Sequence, residues 1–438
     1  MMNRSQLLSV LFASTLCVGG LQGCSTPDTE SSTETSTDTA SVEASSDAAT
    51  SPSDREDTAT ETATDTPPES SSETEQATET ETTAEEDPLA AFDEKQVRLL
   101  TDTAKFLAGI PVEKDSPLAA QQDTAAWNDH AAYLESAWQQ MEAQQLSKAR
   151  SWAQTELQSL NAGTPNLFYP FSGPDFLYAY TFFPEATDYV LVGLEPVGDM
   201  PSFENLSPGQ VQQRLNDANQ SLYAILQYSF FRTNAMAQDL DQQGVLPILL
   251  LFMGRTNQRI LEIQHIGLDE SANLQPVEAG GAEAQGWIDG VRITFVPEGE
   301  TVPKRLYYFS TDLSNDGLAQ TPEFLKFVGE FDRPVTYLKA ASYLMHNDYF
   351  SEIRNTILSS SQAVLQDDSG IPLRFFNASD WNRQFYGSYL RPIDLFAQRY
   401  QPDLREVYAT DTTVRPLNFG IGYKYYQDAN LMLAIPQE

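Results

Sequence analysis

The most suggestive spacing in the chain is Asp312-Leu313-Ser314-Asn315-Asp316-Gly317, with Glu323 at the twelfth position. Calcium takes six or more hard oxygen ligands. A loop with oxygen side chains at one, three and five, glycine at six and a carboxylate at twelve supplies them around a sharp turn. Asp312, Ser314, Asp316 and Glu323 are therefore candidate calcium ligands, in a structural role rather than a catalytic one. The same residues also suit a polar turn that caps the helix after it.

The pattern resembles an EF-hand loop with three departures. Serine stands at the third position, Pro322 at the eleventh, and a strand-like run precedes the loop where the family has a helix.

A second acidic group is Asp367-Asp368-Ser369-Gly370. Two carboxylates can divide acid and base work in glycoside hydrolysis, and Asp175 or Glu195 could supply a partner from elsewhere in the chain. Adjacent side chains point apart in most backbone conformations, and Asp-Asp-Ser-Gly is also an ordinary turn. Trp381, Tyr386 and Tyr389 flank Arg383 and Arg391, which fits either the rim of a pocket or a packed corner.

Other chemistries are excluded or poorly supported. The chain has no G-x-S-x-G, H-E-x-x-H, P-loop or G-x-G-x-x-G pattern. Its two cysteines, Cys17 and Cys24, lie near the N-terminus, so the rest of the chain offers no thiol nucleophile, thiolate ligand or disulfide. The three histidines have simple structural explanations. His130 falls beside an apolar helical seam and should be exposed. His265 shares strand parity with Leu261 and Ile263. His346 closes a helix, where the partial negative charge favours its protonated form.

The N-terminus carries an address. Arg4 precedes an apolar run from Leu7 to Gly20, and Leu21-Gln22-Gly23-Cys24 follows. The run is too short to span a bilayer, which needs about 20 apolar residues. This order resembles a bacterial lipoprotein signal peptide with its lipobox. The resemblance implies cleavage after residue 23 and lipidation of Cys24. Ser25, rather than Asp, after the cysteine implies the outer membrane by the sorting rule of such proteins.

From Ser25 to Asp87 the chain holds nineteen acidic residues, one basic residue (Arg55), and no Phe, Trp, Tyr, Leu or Ile. Nothing there offsets the entropy of ordering, so 24–87 reads as a disordered, self-repelling tether. It would hold the body roughly 45 Å or more off a surface. The remainder, 88–438, has 43 acids against 24 bases. Nucleic acid is accordingly a poor partner, and a cation or neutral ligand suits the body better.

The elements that must position these residues fall in blocks. Pro88–Ile110 reads as a helix, and Trp127, Leu134, Trp138, Met141, Gln145 and Trp152 mark one face of a long second helix. Phe176, Tyr178, Tyr180 and Phe182 alternate, so Phe176–Phe183 and Tyr189–Glu195 read as a hairpin. Ser207-Pro208 opens a helix and Leu246–Met253 is a buried one. Arg259–Leu268, Trp287–Val296 and Lys304–Thr311 read as strands. Phe324–Phe331, Val335–His346 and Ser351–Leu365 read as helices. Short strands at Pro372–Phe376, Pro416–Tyr423 and Leu431–Ile435, with a helix near Ile393–Tyr400, complete the chain.

Blocks without βαβ alternation predict an α+β fold, with N-terminal helices packed on a mostly antiparallel sheet after a disordered acidic linker. The domains expected are a lipoprotein signal at 1–23, the tether at 24–87, and a globular body at 88–438 made of one domain or two packed subdomains. The functional expectation is a membrane-anchored exported lipoprotein whose body binds or scaffolds an envelope ligand or protein without catalysis, with no cofactor expected beyond a possible calcium ion. An envelope glycan hydrolase using paired carboxylates, and a calcium-stabilised structural module, are the alternatives.

Overall fold

Ten strands are joined in one sheet in the computed structural model, which describes residues 88–228, 244–425 and 428–437. Residues 1–87, with Cys24 and the segments expected to be signal and tether, lie outside the described residues. The strands are β1 (Asn166–Tyr169), β2 (Asp188–Gly193), β3 (Gln258–Leu268), β4 (Leu274–Pro276), β5 (Ile288–Pro297), β6 (Lys304–Ser310), β7 (Val335–Leu338), β8 (Ala363–Gln366), β9 (Trp381–Gly387) and β10 (Asn430–Pro436). Their order is β4-β3-β5-β6-β2-β1-β7-β8-β10-β9. Both flanks are antiparallel, as are five of the nine pairings, and the fold is α+β.

The centre differs from the hairpin expectation. β6, β2, β1, β7 and β8 run parallel. Phe176–Phe182 is a helix between β1 and β2, not a strand. Its aromatics are almost all buried, so their alternation carries no information about which face meets water. The deciding residue is Asp175, whose side chain accepts the Tyr178 N–H and caps the helix.

Val335–His346 likewise divides into strand β7, an irregular loop and a short 3-10 turn at Leu344–His346. Ser351–Leu365 divides into a helix over Ser351–Ser360 and strand β8. Pro372–Phe376 holds a 3-10 turn at Leu373–Phe375, and Asp394–Arg399 is another. Pro416–Tyr423 forms no strand, while β9 takes Trp381–Gly387.

Residue parity sorts the central strands between two apolar clusters, because successive side chains leave opposite faces of a sheet. Leu167, Tyr169, Tyr189, Leu191, Val335, Tyr337 and Leu365 share one cluster with Leu100, Trp127, Trp152 and Phe182. Phe168, Val190, Val192, Leu338 and Val364 share the other with Phe324, Phe327, Ile353 and Leu404. Burying each large aromatic or aliphatic side chain contributes about 1.5–3 kcal/mol, so both clusters bear on stability.

The long N-terminal helix is continuous along the chain but not in winding. Thr124 caps Ala125–Met141 through the Trp127 N–H, a π turn occupies Glu142–Leu146, and Ser147–Glu156 resumes the α-helix. The π turn includes buried Gln145. Its Oε1 accepts the Gly420 N–H at 2.9 Å, tying the helix to a loop near the C-terminus. No helix among the described residues is long and apolar enough to cross a membrane.

Candidate functional site

The order of the parallel strands reverses at β1. From β1 the chain continues to β2 on one side, and β7 later enters on the other. Between the carboxyl ends of two such strands, departing loops separate and leave a crevice, which is where ligands bind in sheets of this kind. The loops leaving β1, β7 and β8 carry Asp175, Lys339 and the pair Asp367-Asp368.

Lys339 Nζ lies 2.5 Å from Asp175 Oδ2, with both side chains 2% exposed. Tyr169 donates its hydroxyl to the same carboxylate oxygen at 2.8 Å, and the ammonium sits 3.9 Å from the centroid of the Tyr178 ring. Burial pushes the Lys339 amine down, while the negative charges of Asp175 and Asp367 act against that.

The two adjacent aspartates face different partners. Asp367 Oδ1 accepts from the backbone and hydroxyl of Ser369, and Oδ2 from the Ala340 N–H at 2.9 Å. Asp368 accepts the Tyr343 hydroxyl at 2.5 Å and the Asn430 side-chain amide at 2.8 Å, with Lys424 Nζ at 3.6 Å. Burial, reinforced by the charge of Asp368, pushes Asp367 up to about 6. Burial and the same Asp368 charge push the Tyr343 hydroxyl far above the ordinary tyrosine range.

Backbone strain gathers at this cluster. Ala340, Ser342 and Tyr343 have φ of 51°, 52° and 53°, left-handed values that cost a residue with a Cβ on the order of 1 kcal/mol or more each. Surrounding bonds hold the loop in place. Ser369 Oγ accepts the Ala341 N–H, Ser342 and Tyr423 join hydroxyls at 2.7 Å, and Tyr423 donates to the Ala340 carbonyl.

The segment Gly420–Lys424 closes over the aspartates. A Cβ on Gly422, whose φ is +55°, would lie 2.4 Å from Asp367 Oδ2, so only glycine lets the chain pass there. Lys424 Nζ stands 4.6 Å from the Tyr389 ring centroid, beside Asp368. The cluster is thus a closed acid–base network rather than an open trough. Clefts of 580 Å³ beside Trp138 and Arg255, 470 Å³ on the far side of Pro416–Gly420, and 460 Å³ beside Arg374 and Asp403 are not lined by these aspartates. The chemistry is concentrated in the closed cluster, where opposite charges, two adjacent buried carboxylates and strained backbone coincide.

Of the residues singled out from the sequence, Asp175 joins Asp367 and Asp368 in this network, and Tyr389 lies at its edge. Glu195 is buried separately at the end of β2, where it accepts the Leu194 N–H and its backbone carbonyl accepts the Tyr308 hydroxyl. Trp381 packs on Phe376, Tyr386 donates to Glu156, Arg383 donates to the Phe376 carbonyl and Arg391 pairs with Asp394. These four serve packing and surface contacts.

In the 312–323 segment, Asp312 accepts from the Ser314 backbone and hydroxyl, and Ser314 caps Asn315–Gln320 through the Gly317 N–H. Asp316 stands in that helix's first turn and Glu323 opens the next helix. Among the described residues, no three His, Cys, Asp or Glu side chains are gathered as metal ligands.

Two histidines differ from expectation. His130 is buried, its Nε2 2.8 Å from the Leu107 carbonyl. His346 is pushed down to about 3 by burial and by Arg374, Arg399 and Arg354, so it is neutral rather than protonated. The sequence reading missed Lys339, Tyr343, Lys424, Asn430 and the arginines around His346. The one local signal was a lysine directly after the short apolar run Val335–Leu338. Comparison with protein families, curated proteins and solved structures found no match for this chain.

Proposed function

We propose that this chain is an exported lipoprotein, anchored through Cys24 to a cell-envelope membrane, by the lipobox reading the outer one. In this reading, segment 24–87 is a disordered tether and the N-terminal helices cover one face of the sheet. The folded body binds an envelope ligand at the carboxyl edge of β1, β7 and β8. The observation that carries the binding site is the buried Lys339–Asp175 pair at the point where strand order reverses. Two desolvated charges beside a strained loop cost stability that an apolar plug would not, which is the signature of a site kept for use. Admission of a ligand requires the loops Ala340–Tyr343 and Gly420–Lys424 to part.

A second reading, hydrolysis of an envelope glycan, is favoured by one observation. Asp367 is poised near pH 6 next to a second carboxylate with different donors, the division of labour that acid–base catalysis uses.

Mass spectrometry of the mature N-terminus with membrane fractionation tests the anchor. An acylated Cys24 in the membrane fraction is expected, and a free, uncleaved N-terminus in the soluble fraction would remove it. Incubation of the full chain with isolated envelope glycan separates binding from hydrolysis. Release of reducing ends that is lost in Asp367→Asn supports hydrolysis, whereas retention of glycan without release supports binding alone.

A further inference from the structure

The helix Leu246–Arg255 is buried at every position from Leu246 to Gly254, and Arg255 is its last residue. The positive charge that a helix C-terminus favours is thereby carried inward, and the Arg255 side chain is 5% exposed. Its Nη1 donates to Glu135 Oε2 at 2.7 Å, and its guanidinium carbon lies 5.6 Å from the Trp138 ring centroid. Nε and Nη2 are buried with no hydrogen-bond partner among the described residues. Asn161, 9% exposed, donates its Nδ2 to the Leu157 and Phe182 carbonyls. That leaves Oδ1 as an acceptor, also buried and without a partner among the described residues. A buried polar group left unpaired costs about 1–3 kcal/mol, so two donors and an acceptor left over together need a reason.

Arg255 and Asn161 both line the 580 Å³ cleft, a size that suits a small-molecule ligand. The half-buried rings of Trp138 and Tyr180 and the exposed amides of Gln154 and Gln158 line it as well. Asn161, Pro184 and Asn257 stand shortly before β1, β2 and β3, which run in one direction. The cleft therefore lies at the amino edge of the sheet, away from the Lys339–Asp175 pair. Its charges cancel in pairs, Arg255 with Glu135 and Arg150 with Glu142, and exposed Glu185 adds a negative one. An anion is disfavoured there. The leftover donors and acceptor suit an uncharged group that presents a carbonyl and an N–H.

We propose that this cleft binds an N-acetylated sugar, with the acetamido group between Arg255 and Asn161 and the pyranose ring packed on Trp138 and Tyr180. A carbonyl oxygen has two lone pairs and can take both free guanidinium N–H groups, while the acetamido N–H donates to Asn161 Oδ1. The negative face of an aromatic ring attracts the C–H face of a sugar, and Gln154 and Gln158 offer both donors and acceptors to its hydroxyls. This site is separate from the ligand site proposed at the carboxyl edge and stands without it.

The test is calorimetric titration of the full chain with chitotetraose and three controls. Cellotetraose has the same linked rings with hydroxyls in place of the acetamido groups, tetragalacturonate is anionic, and N-acetylalanine methylamide carries the amide without a sugar ring. Chitotetraose should bind at least about tenfold more tightly than each control. Arg255→Lys keeps the charge beside Glu135 but not the fork of donors, and should lose the preference over cellotetraose. Ala162→Phe, at an exposed position lining the cleft, should abolish binding, and it decides the matter if Arg255→Lys does not fold. Equal binding of cellotetraose, or a folded Arg255→Lys that keeps the preference, overturns the acetamido contact. Tighter binding of tetragalacturonate overturns the neutral ligand, and equal binding of the methylamide overturns the sugar. Chitotetraose binding unchanged in Ala162→Phe overturns the cleft as its place. Absence of chitotetraose binding overturns the inference and leaves the carboxyl-edge reading untouched.

Discussion

Lys339 Nζ and Asp175 Oδ2 meet at 2.5 Å, out of contact with water, from loops on neighbouring parallel strands whose chain connections run to opposite sides of the sheet. The pair is also local architecture, because Asp175 caps the helix Phe176–Phe182 with its other oxygen. One contact therefore fixes the geometry of two strand ends and one helix start.

Removing one partner leaves a buried charge unpaired. Lys339→Met should destabilise the fold by about 3–5 kcal/mol in urea unfolding. Adding Asp175→Asn, which keeps a capping oxygen, should recover much of that loss. A Lys339→Met protein as stable as the parent would mean that the pair is not desolvated.

Asp367 gives a pH signature whose sign can be worked out. Its proton is held up to about 6 in the fold against an ordinary 3.8. An acid with a raised folded value binds its proton more tightly folded than unfolded. Its contribution to stability is therefore full below the ordinary value and is lost as pH rises from about 4 to about 6, on the order of 3 kcal/mol. Unfolding of the parent and Asp367→Asn across pH 4 to 7 reads this as a difference. The parent should lose ground to the variant through that window, and a constant difference would contradict the assignment.

Gly422 should tolerate no side chain. Gly422→Ala combines a left-handed φ of +55° with a Cβ placed 2.4 Å from Asp367 Oδ2. A loss of about 2 kcal/mol or more is expected, together with a shift in the pH window just described. Unchanged thermal stability and pH profile would show that Gly420–Lys424 does not close over the aspartates.

The 312–323 segment separates capping from calcium. Ser314→Ala should cost about 1 kcal/mol through the lost helix cap, equally with calcium or with EDTA. A melting temperature that rises with calcium in the parent but not in Asp312→Asn would instead establish an ion site there.

Local chemistry determined much of this protein by itself. Thr124 starts a helix wherever its hydroxyl can take the Trp127 N–H, and Ser314 stops one turn and starts another by the same means. The long antiparallel strands β3, β5 and β6 were legible from their apolar runs and the Gly/Pro loops between them. Asp367-Asp368 was legible as adjacent carboxylates in a turn sequence, with Asp175 or Glu195 as possible partners, but which of the two lies near the pair was not. The reading of Cys24 and the acidic tether rests on sequence alone.

Only the tertiary structure decided the rest. Phe176–Phe182 and Val335–Leu338 are short and buried except at Tyr180, so neither period distinguishes helix from strand. Which strands run parallel depends on contacts between distant segments, and that pairing brings Lys339 to Asp175 and Lys424 to Asp368. It also buries His346 near arginines, so that this imidazole is neutral. Charge composition is a sum over residues. A binding site depends on where a few of those charges lose their water and meet, and the packed sheet sets that.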